Sequence, residues 1–162
     1  MNDRDDRGRR MQRAVLAGAV TMASFLSLSG CAVPGLVTTS TCIDWVSFDT
    51  PADAATDADA VVLGSIAGQD GTTQYEGMTA NIWTVEIEDW LKGSGSETID
   101  VVSMPRSCGD TEDGMSEFSD QDEVVLFLRS TDSGWEGITP WQQAMLSEDG
   151  GYPEAWPDDL YG

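Results

Sequence analysis

Glu123-Val124-Val125-Leu126-Phe127-Leu128-Arg129 decides the fold class of this chain, because it is the most apolar of five short β-like runs. Five consecutive apolar residues between two charged ones are typical of a strand that is buried on both faces. We therefore expect a central strand here, with the other four runs arranged around it.

The other four runs lie on both sides of this strand, at Ala60–Ala67, Thr79–Leu91, Thr98–Met104 and Trp135–Trp141. Gly64 interrupts the first run and predicts a bulge or a bend. The second run alternates, so that one face would carry Trp83, Val85, Ile87 and Leu91. The Gly- and Thr-rich segment from Gln69 to Gly77 is interpreted as a polar turn between the first two runs.

A short helix is expected before the first strand. Thr50 is a good N-cap, Pro51 suits the first helical position, and Asp53 completes a capping box for a helix that reaches about Ala58. A long acidic loop, Pro105–Gln121, follows the third run. One early helix, five short strands and this loop predict a mainly β domain, a small closed or partly open five-stranded barrel over residues 42–146. The acidic tail, 147–162, is expected to be disordered or loosely packed.

The first thirty residues have the pattern of an export signal. Five arginines occur among residues 4–13, and an apolar run from Ala14 to Leu28 follows them. A basic segment, a short apolar segment and small residues at a cleavage point are typical of a secretory signal peptide, whose helix is too short to span a membrane comfortably. Arg9-Arg10 leaves twin-arginine export open beside the general route.

Leu28-Ser29-Gly30-Cys31 closes this signal and resembles the lipobox of bacterial lipoproteins. The resemblance implies that the Cys31 thiol receives diacylglycerol and that cleavage occurs just before Cys31, which then carries the lipid (palmitate and similar acyl chains). The uncharged residues 31–41 would be the lipidated cysteine and its flexible spacer. The protein is thus expected on the extracytoplasmic face of the cell membrane, held in the bilayer through the Cys31 lipid anchor.

The charge of the chain restricts its partners. The formal net charge is −21, and removal of residues 1–30 takes away five Arg and three Asp, which leaves three basic and 26 acidic residues and a net charge of −23. Such a surface repels phosphate groups, so nucleic-acid binding is excluded. The chain contains no His, which removes Ser-His and Cys-His mechanisms. We expect no enzyme activity and no cofactor.

Two cysteines remain once Cys31 is assigned to the lipid, Cys42 and Cys108. In an exported chain two thiols most simply form a disulfide. The alternatives are two free thiols or a pair of metal ligands, although a zinc site would need further Cys or His.

The order of elements resembles an OB-fold, and more narrowly the netrin-like or TIMP-like modules of exported proteins. The residues that carry the resemblance include Cys42, the strand after Ala58-Asp59, the phrase that ends in Leu91-Lys92-Gly93, and Cys108-Gly109. The resemblance implies an OB-like barrel with a disulfide between Cys42 and Cys108. It does not imply inhibition through a free N-terminal cysteine, because Cys31 would be lipidated and no Cys lies two residues from Cys42.

Three groups of residues are weak candidates for a site. The acidic loop offers Asp110, Glu112 and Asp113 as oxygen ligands for calcium, without the EF-hand spacing. Glu86 and Glu88 are a carboxylate pair, although their position on the outer face of the second run favours solvent exposure. The aromatic residues near the C-terminus either form a sugar or peptide site or close the barrel: Trp135, Trp141, Tyr152 and Trp156.

Together these observations predict a membrane-anchored, monomeric, non-catalytic module that binds a protein or a cell-envelope partner. The alternatives are an enzyme inhibitor at the cell surface and a calcium-dependent hydrolase.

Overall fold

The barrel is described by a computed structural model that covers residues 42–107 and 113–158. A short helix precedes six strands, and a 3₁₀ turn at Ser116–Phe118 lies between the third and fourth. The helix and strands are α1 Pro51–Asp57, β1 Ala60–Tyr75, β2 Met78–Lys92, β3 Thr98–Val102, β4 Val124–Thr131, β5 Gly134–Gly137 and β6 Ala144–Leu146.

The strand order closes the sheet into a barrel. Neighbours follow the order β1-β2-β3-β5-β4, and β4 pairs back with β1 from Ala60 opposite Leu128 to Gly64 opposite Val124. The pairing of β3 with β5 is parallel and all the others are antiparallel. This closed five-stranded mixed barrel with one short helix is a small OB-like barrel, which confirms the predicted fold class.

Strand β4 is the centre of the fold, as its sequence predicts. Residues 124–128 are fully buried. Val124, Leu126 and Leu128 face the barrel interior, whereas Val125 and Phe127 face outward into a second apolar cluster beneath α1. The strand also has neighbours on both edges, because β1 pairs with one edge and β5 and β6 share the other. Burial on both faces explains why this run has no polar alternation.

The first hairpin is much longer than the sequence pattern predicts. The expected polar turn at 69–77 is wrong: β1 continues through it to Tyr75, and Gln69 lies opposite Trp83. The chain reverses only at Glu76 and Gly77, both with positive φ. Polar residues form this strand because, beyond Gly64, β1 pairs with β2 alone, so the outer half of the hairpin has little core to cover.

A bulge changes which side chains of β2 enter the core. Gly64 lies opposite Ile87 while Leu63 lies opposite Asp89, so Glu88 is the extra residue. The predicted irregularity at Gly64 is thereby confirmed, and a side chain at this position would collide with the Glu86 carbonyl oxygen. The bulge shifts the alternation by one residue, so Trp90 packs against the core and Leu91 is exposed, contrary to the predicted face.

Helix α1 forms as its sequence predicts, and Lys92 completes its C-terminal end. Thr50 accepts a hydrogen bond from the Asp53 backbone, and the Asp53 carboxylate accepts one from the Thr50 backbone, which is a full capping box. At the other end, the Lys92 ammonium donates to the carbonyl oxygens of Ala55 and Thr56 at 2.8 and 3.0 Å. A cation at a helix C-terminus satisfies carbonyls that have no partner in the helix.

The C-terminal part of the chain differs from the prediction in two ways. The expected fifth strand to Trp141 ends at Gly137, and a further strand, β6, pairs with β4. The tail, expected to be disordered or loosely packed, is described to residue 158, and one of its residues, Trp156, makes two contacts outside the tail. The Trp156 ring lies 5.5 Å from the Phe127 ring, and its Nε1 donates to the Phe48 carbonyl oxygen at 3.0 Å.

Candidate functional site

Several residues singled out in the sequence lie outside the described residues. They are the lipobox and its cysteine (Leu28, Ser29, Gly30, Cys31), the second cysteine of the expected disulfide (Cys108), and two of the three acids of the loop (Asp110, Glu112). Among the described residues no helix is long and apolar enough to cross a membrane. The lipid anchor, the disulfide and a calcium site therefore stay predictions.

Asp113, the third acid of the loop, is used by the protein itself. Its Oδ2 accepts hydrogen bonds from Asn81 Nδ2 at 2.7 Å and from Trp83 Nε1 at 2.6 Å. Its Oδ1 accepts from the Ser103 hydroxyl and from the Met115 backbone. A carboxylate with four donors on its two oxygens has few lone pairs left for a cation. Asp113 therefore fastens the loop to the barrel, a role that the loop's composition did not indicate.

The Asp113 contacts continue into the barrel through a buried glutamine. Gln143, which is 1% exposed, donates from Nε2 to the Ser103 hydroxyl at 3.0 Å and accepts from the Met104 backbone at 3.0 Å. Neighbouring Gln142 pairs in the same manner with the backbone of Phe48, at 2.8 Å in both directions. Buried amides with all these partners fix one arrangement of the chain.

The neighbours of the two expected disulfide cysteines lie side by side. Ser107 Oγ donates to the Ile43 carbonyl oxygen at 3.0 Å. In the sequence, Cys42 directly precedes Ile43, and Cys108 directly follows Ser107. Cys108 lies outside the described residues, so the Cys42–Cys108 bond stays a prediction; it would close a loop spanning most of the barrel.

The carboxylate pair Glu86 and Glu88 lies on the surface, as expected. Both side chains are exposed and border a shallow depression together with Asp122 and Gly64. Among the described residues no group of three or more Cys, Asp or Glu is arranged to hold a metal ion. The pair is therefore part of a solvated strand surface.

The C-terminal aromatic residues do not form one site. Trp135 packs against the interior core, with its ring 5.7 Å from that of Trp90. Tyr152 and Trp156 lie on the other side of the barrel wall, where each ring contacts Phe127. The sequence left open whether these aromatic residues form a sugar or peptide site or close the barrel. Closure of the barrel fits Trp135, whereas Trp156 covers the second apolar cluster on the outside of β4.

A different surface, not singled out by the sequence patterns, brings chemically varied groups together. On the outside of the barrel, four residues from four adjacent strands lie in one line of register partners. We call this line the outer-face row: Ile82 of β2, Val102 of β3, Glu136 of β5 and Arg129 of β4. Ile82, Val102 and Glu136 are all half-buried. No local sequence pattern reveals the row, because strand pairing aligns residues that are far apart in the chain: Val102 lies 20 positions after Ile82, and Glu136 lies 34 positions after Val102.

Glu136 is the chemically distinctive member of the outer-face row. Burial raises the pKa of its carboxyl, and the positive charge of Arg129 opposes that rise. Among the described residues none donates a hydrogen bond to this carboxylate, since Arg129 donates to Asp57 of α1 instead, at 3.1 Å. A partly desolvated carboxylate without a donor is unfavourable in the free domain.

An aromatic pair lies near Glu136, at the end of the first hairpin. The rings of Trp45 and Tyr75 are 6.0 Å apart and inclined by 38°. Burial raises the pKa of the Tyr75 phenol, and the charges of Glu136 and Glu76 raise it further. The charge of Glu136 therefore acts on the Tyr75 phenol. The outer-face row itself combines apolar side chains with an acid that receives no hydrogen bond from the described residues, and the aromatic pair lies at the end of the hairpin.

No protein-family model, no curated protein and no solved structure matches this chain.

Proposed function

We propose that this protein is a lipid-anchored, non-catalytic binding module whose barrel presents the outer-face row to a protein partner outside the cytoplasm. The observation that carries the proposal is the half-buried Glu136, which lies between Val102 and Arg129 with no donor from the described residues. Carboxyl groups whose pKa is raised by partial burial cluster at functional sites.

The position of the row in the fold supports the same conclusion. OB-like barrels bind their ligands on the outer face of their second and third strands and the adjoining loops. Ile82 and Val102 lie on those two strands, and Tyr75 lies at the end of the hairpin that joins β1 to β2. The strong negative charge of the domain excludes nucleic acid and favours a basic partner.

The anchor rests on the sequence alone. Residues 28–31 match a lipobox, and each buried acyl CH₂ contributes roughly 0.8 kcal/mol, so two chains hold a protein at the bilayer essentially permanently. We expect the Cys31→Ser variant to leave the membrane fraction, while the wild-type chain stays there and gains the mass of a diacylglyceryl group. Wild-type protein that is soluble or unmodified would refute the anchor.

Binding at the outer face is tested by blocking it. In the Val102→Lys variant an ammonium group beside Glu136 would pair with that carboxylate and occupy the face. We expect chemical crosslinking on intact cells to trap a partner with the wild-type chain and to lose at least nine-tenths of that product with Val102→Lys. Thr56→Lys, on the exposed side of α1, is the matched control and should crosslink as the wild type does. Equal yields from all three proteins would reject the outer face as the site.

A further inference from the structure

Each basic residue of the domain has a hydrogen-bond partner, and among the described residues none of them donates to Glu136. Outside residues 1–30 the chain contains three basic residues, Lys92, Arg106 and Arg129. Lys92 binds the last carbonyls of α1, Arg106 pairs with Glu117 at 2.9 Å, and Arg129 pairs with Asp57 at 3.1 Å. Arg129 acts on Glu136 through its charge and donates its hydrogen bond to Asp57, so a direct ion pair with the Glu136 carboxylate is open to a basic group of another molecule.

The surroundings of Glu136 suit one kind of cation. Val102 on β3 is the register partner of Glu136 and offers an apolar neighbour for a hydrocarbon stem. The Tyr75 ring, which contacts Trp45 and whose phenol is influenced by the charge of Glu136, offers a π face. Lysine and arginine side chains lay their stems along apolar surface, pair with carboxylates and are attracted to aromatic faces. One basic side chain would therefore match both parts of this surface: its stem would lie against Val102, and its charged head would reach the Glu136 carboxylate.

We propose that the Glu136 carboxylate receives one lysine or arginine side chain of the protein partner, with Val102 against its stem and the Tyr75–Trp45 pair beside its charged head. This inference rests on the proposed function and names the chemistry of its partner. Pairing supplies the donor that Glu136 lacks in the free domain, so the contact belongs at the centre of the interface rather than at its rim.

General attraction by the acidic domain must be separated from a specific contact. Glu136→Gln and Glu97→Gln remove the same charge, but Glu97 is an exposed residue of the β2–β3 loop. The probe is a fluorescent peptide that alternates valine and lysine, titrated into the full chain in non-ionic detergent. We expect Glu136→Gln to weaken its binding at least tenfold and Glu97→Gln to weaken it less than twofold.

A pH series gives a second readout. The charge of Arg129 of β4 acts on Glu136, and the charge of Glu136 acts on the Tyr75 phenol. The register partner of Glu136 on β3 is the uncharged Val102. Protonation of Glu136 removes the ion pair, so the wild type should approach the weak binding of Glu136→Gln as the pH falls through the raised pKa of this carboxyl. Because the charged carboxylate is unfavourable in the free fold, Glu136→Gln should melt no lower than the wild type at pH 7.

Three results would overturn this inference. The first is that Glu136→Gln and Glu97→Gln weaken peptide binding equally, and the second is that their affinities still differ at low pH. The third is that the wild type does not bind the peptide measurably. The proposed function is judged separately by the Val102→Lys crosslinking comparison. A partner still lost with Val102→Lys but kept with Glu136→Gln would preserve the binding face and reject the role of Glu136.

Discussion

Replacing Asp113 by alanine is expected to lower the free energy of unfolding by about 3–5 kcal/mol, because hydrogen bonds to a charged group are each worth roughly 1.5–3 kcal/mol and orphaned buried donors add a penalty. The carboxylate binds Trp83, which is 7% exposed, and Ser103, which is 2% exposed. A small domain is stable by only about 5–15 kcal/mol. Urea unfolding followed by tryptophan fluorescence measures the loss.

The matched control for Asp113→Ala lies in the same loop. Asp120 is exposed, and its replacement by alanine should change the free energy of unfolding by less than about 0.5 kcal/mol. If the two variants unfold alike, Asp113 does not fasten the loop. A stabilising effect of calcium on the wild type would also contradict this role, since it would show that the loop acids are available to a cation.

Replacing Trp156 by alanine is expected to lower the free energy of unfolding by about 2–4 kcal/mol, somewhat below the roughly 3–5 kcal/mol for a core aromatic side chain, because Trp156 is only half-buried. The variant loses the ring contact with Phe127 and the hydrogen bond to the Phe48 carbonyl oxygen. Because Phe127 is fully buried, the second apolar cluster would become exposed at this point. Thermal unfolding followed by circular dichroism measures the effect.

A conservative variant separates packing from hydrogen bonding at Trp156. Trp156→Phe keeps an aromatic ring against Phe127 and removes only the donor, so we expect a loss of about 1 kcal/mol. An unchanged melting temperature in Trp156→Ala would show instead that the tail lies free of the barrel in solution.

The parts of the fold that the sequence predicts are those with local causes. The capping box of Thr50 and Asp53 acts over three residues, and both of its hydrogen bonds form. The apolar run of β4 predicts a strand buried on both faces, because no polar residue interrupts it. Gly64 marks a place where strand β2 comes too close for a side chain. Each of these features can be recognised within a few neighbouring positions.

The parts that were missed depend on contacts between distant segments. The polar half of β1 becomes a strand because β2 pairs with it, and the bulge at Glu88 exchanges Leu91 for Trp90 in the core. The candidate site follows the same rule. Glu136 is distinctive only because strand pairing places it between Val102 and Arg129, and its own sequence neighbourhood gives no such signal.

The most direct test of the binding face places a photoreactive amino acid at two positions of the full chain on intact cells. Thr84 lies on β2 beside Asp100 of β3, next to the outer-face row, whereas Thr56 lies on α1. We predict a crosslinked product of defined mass from position 84 and none from position 56. A product from position 56 with none from position 84 would contradict the account.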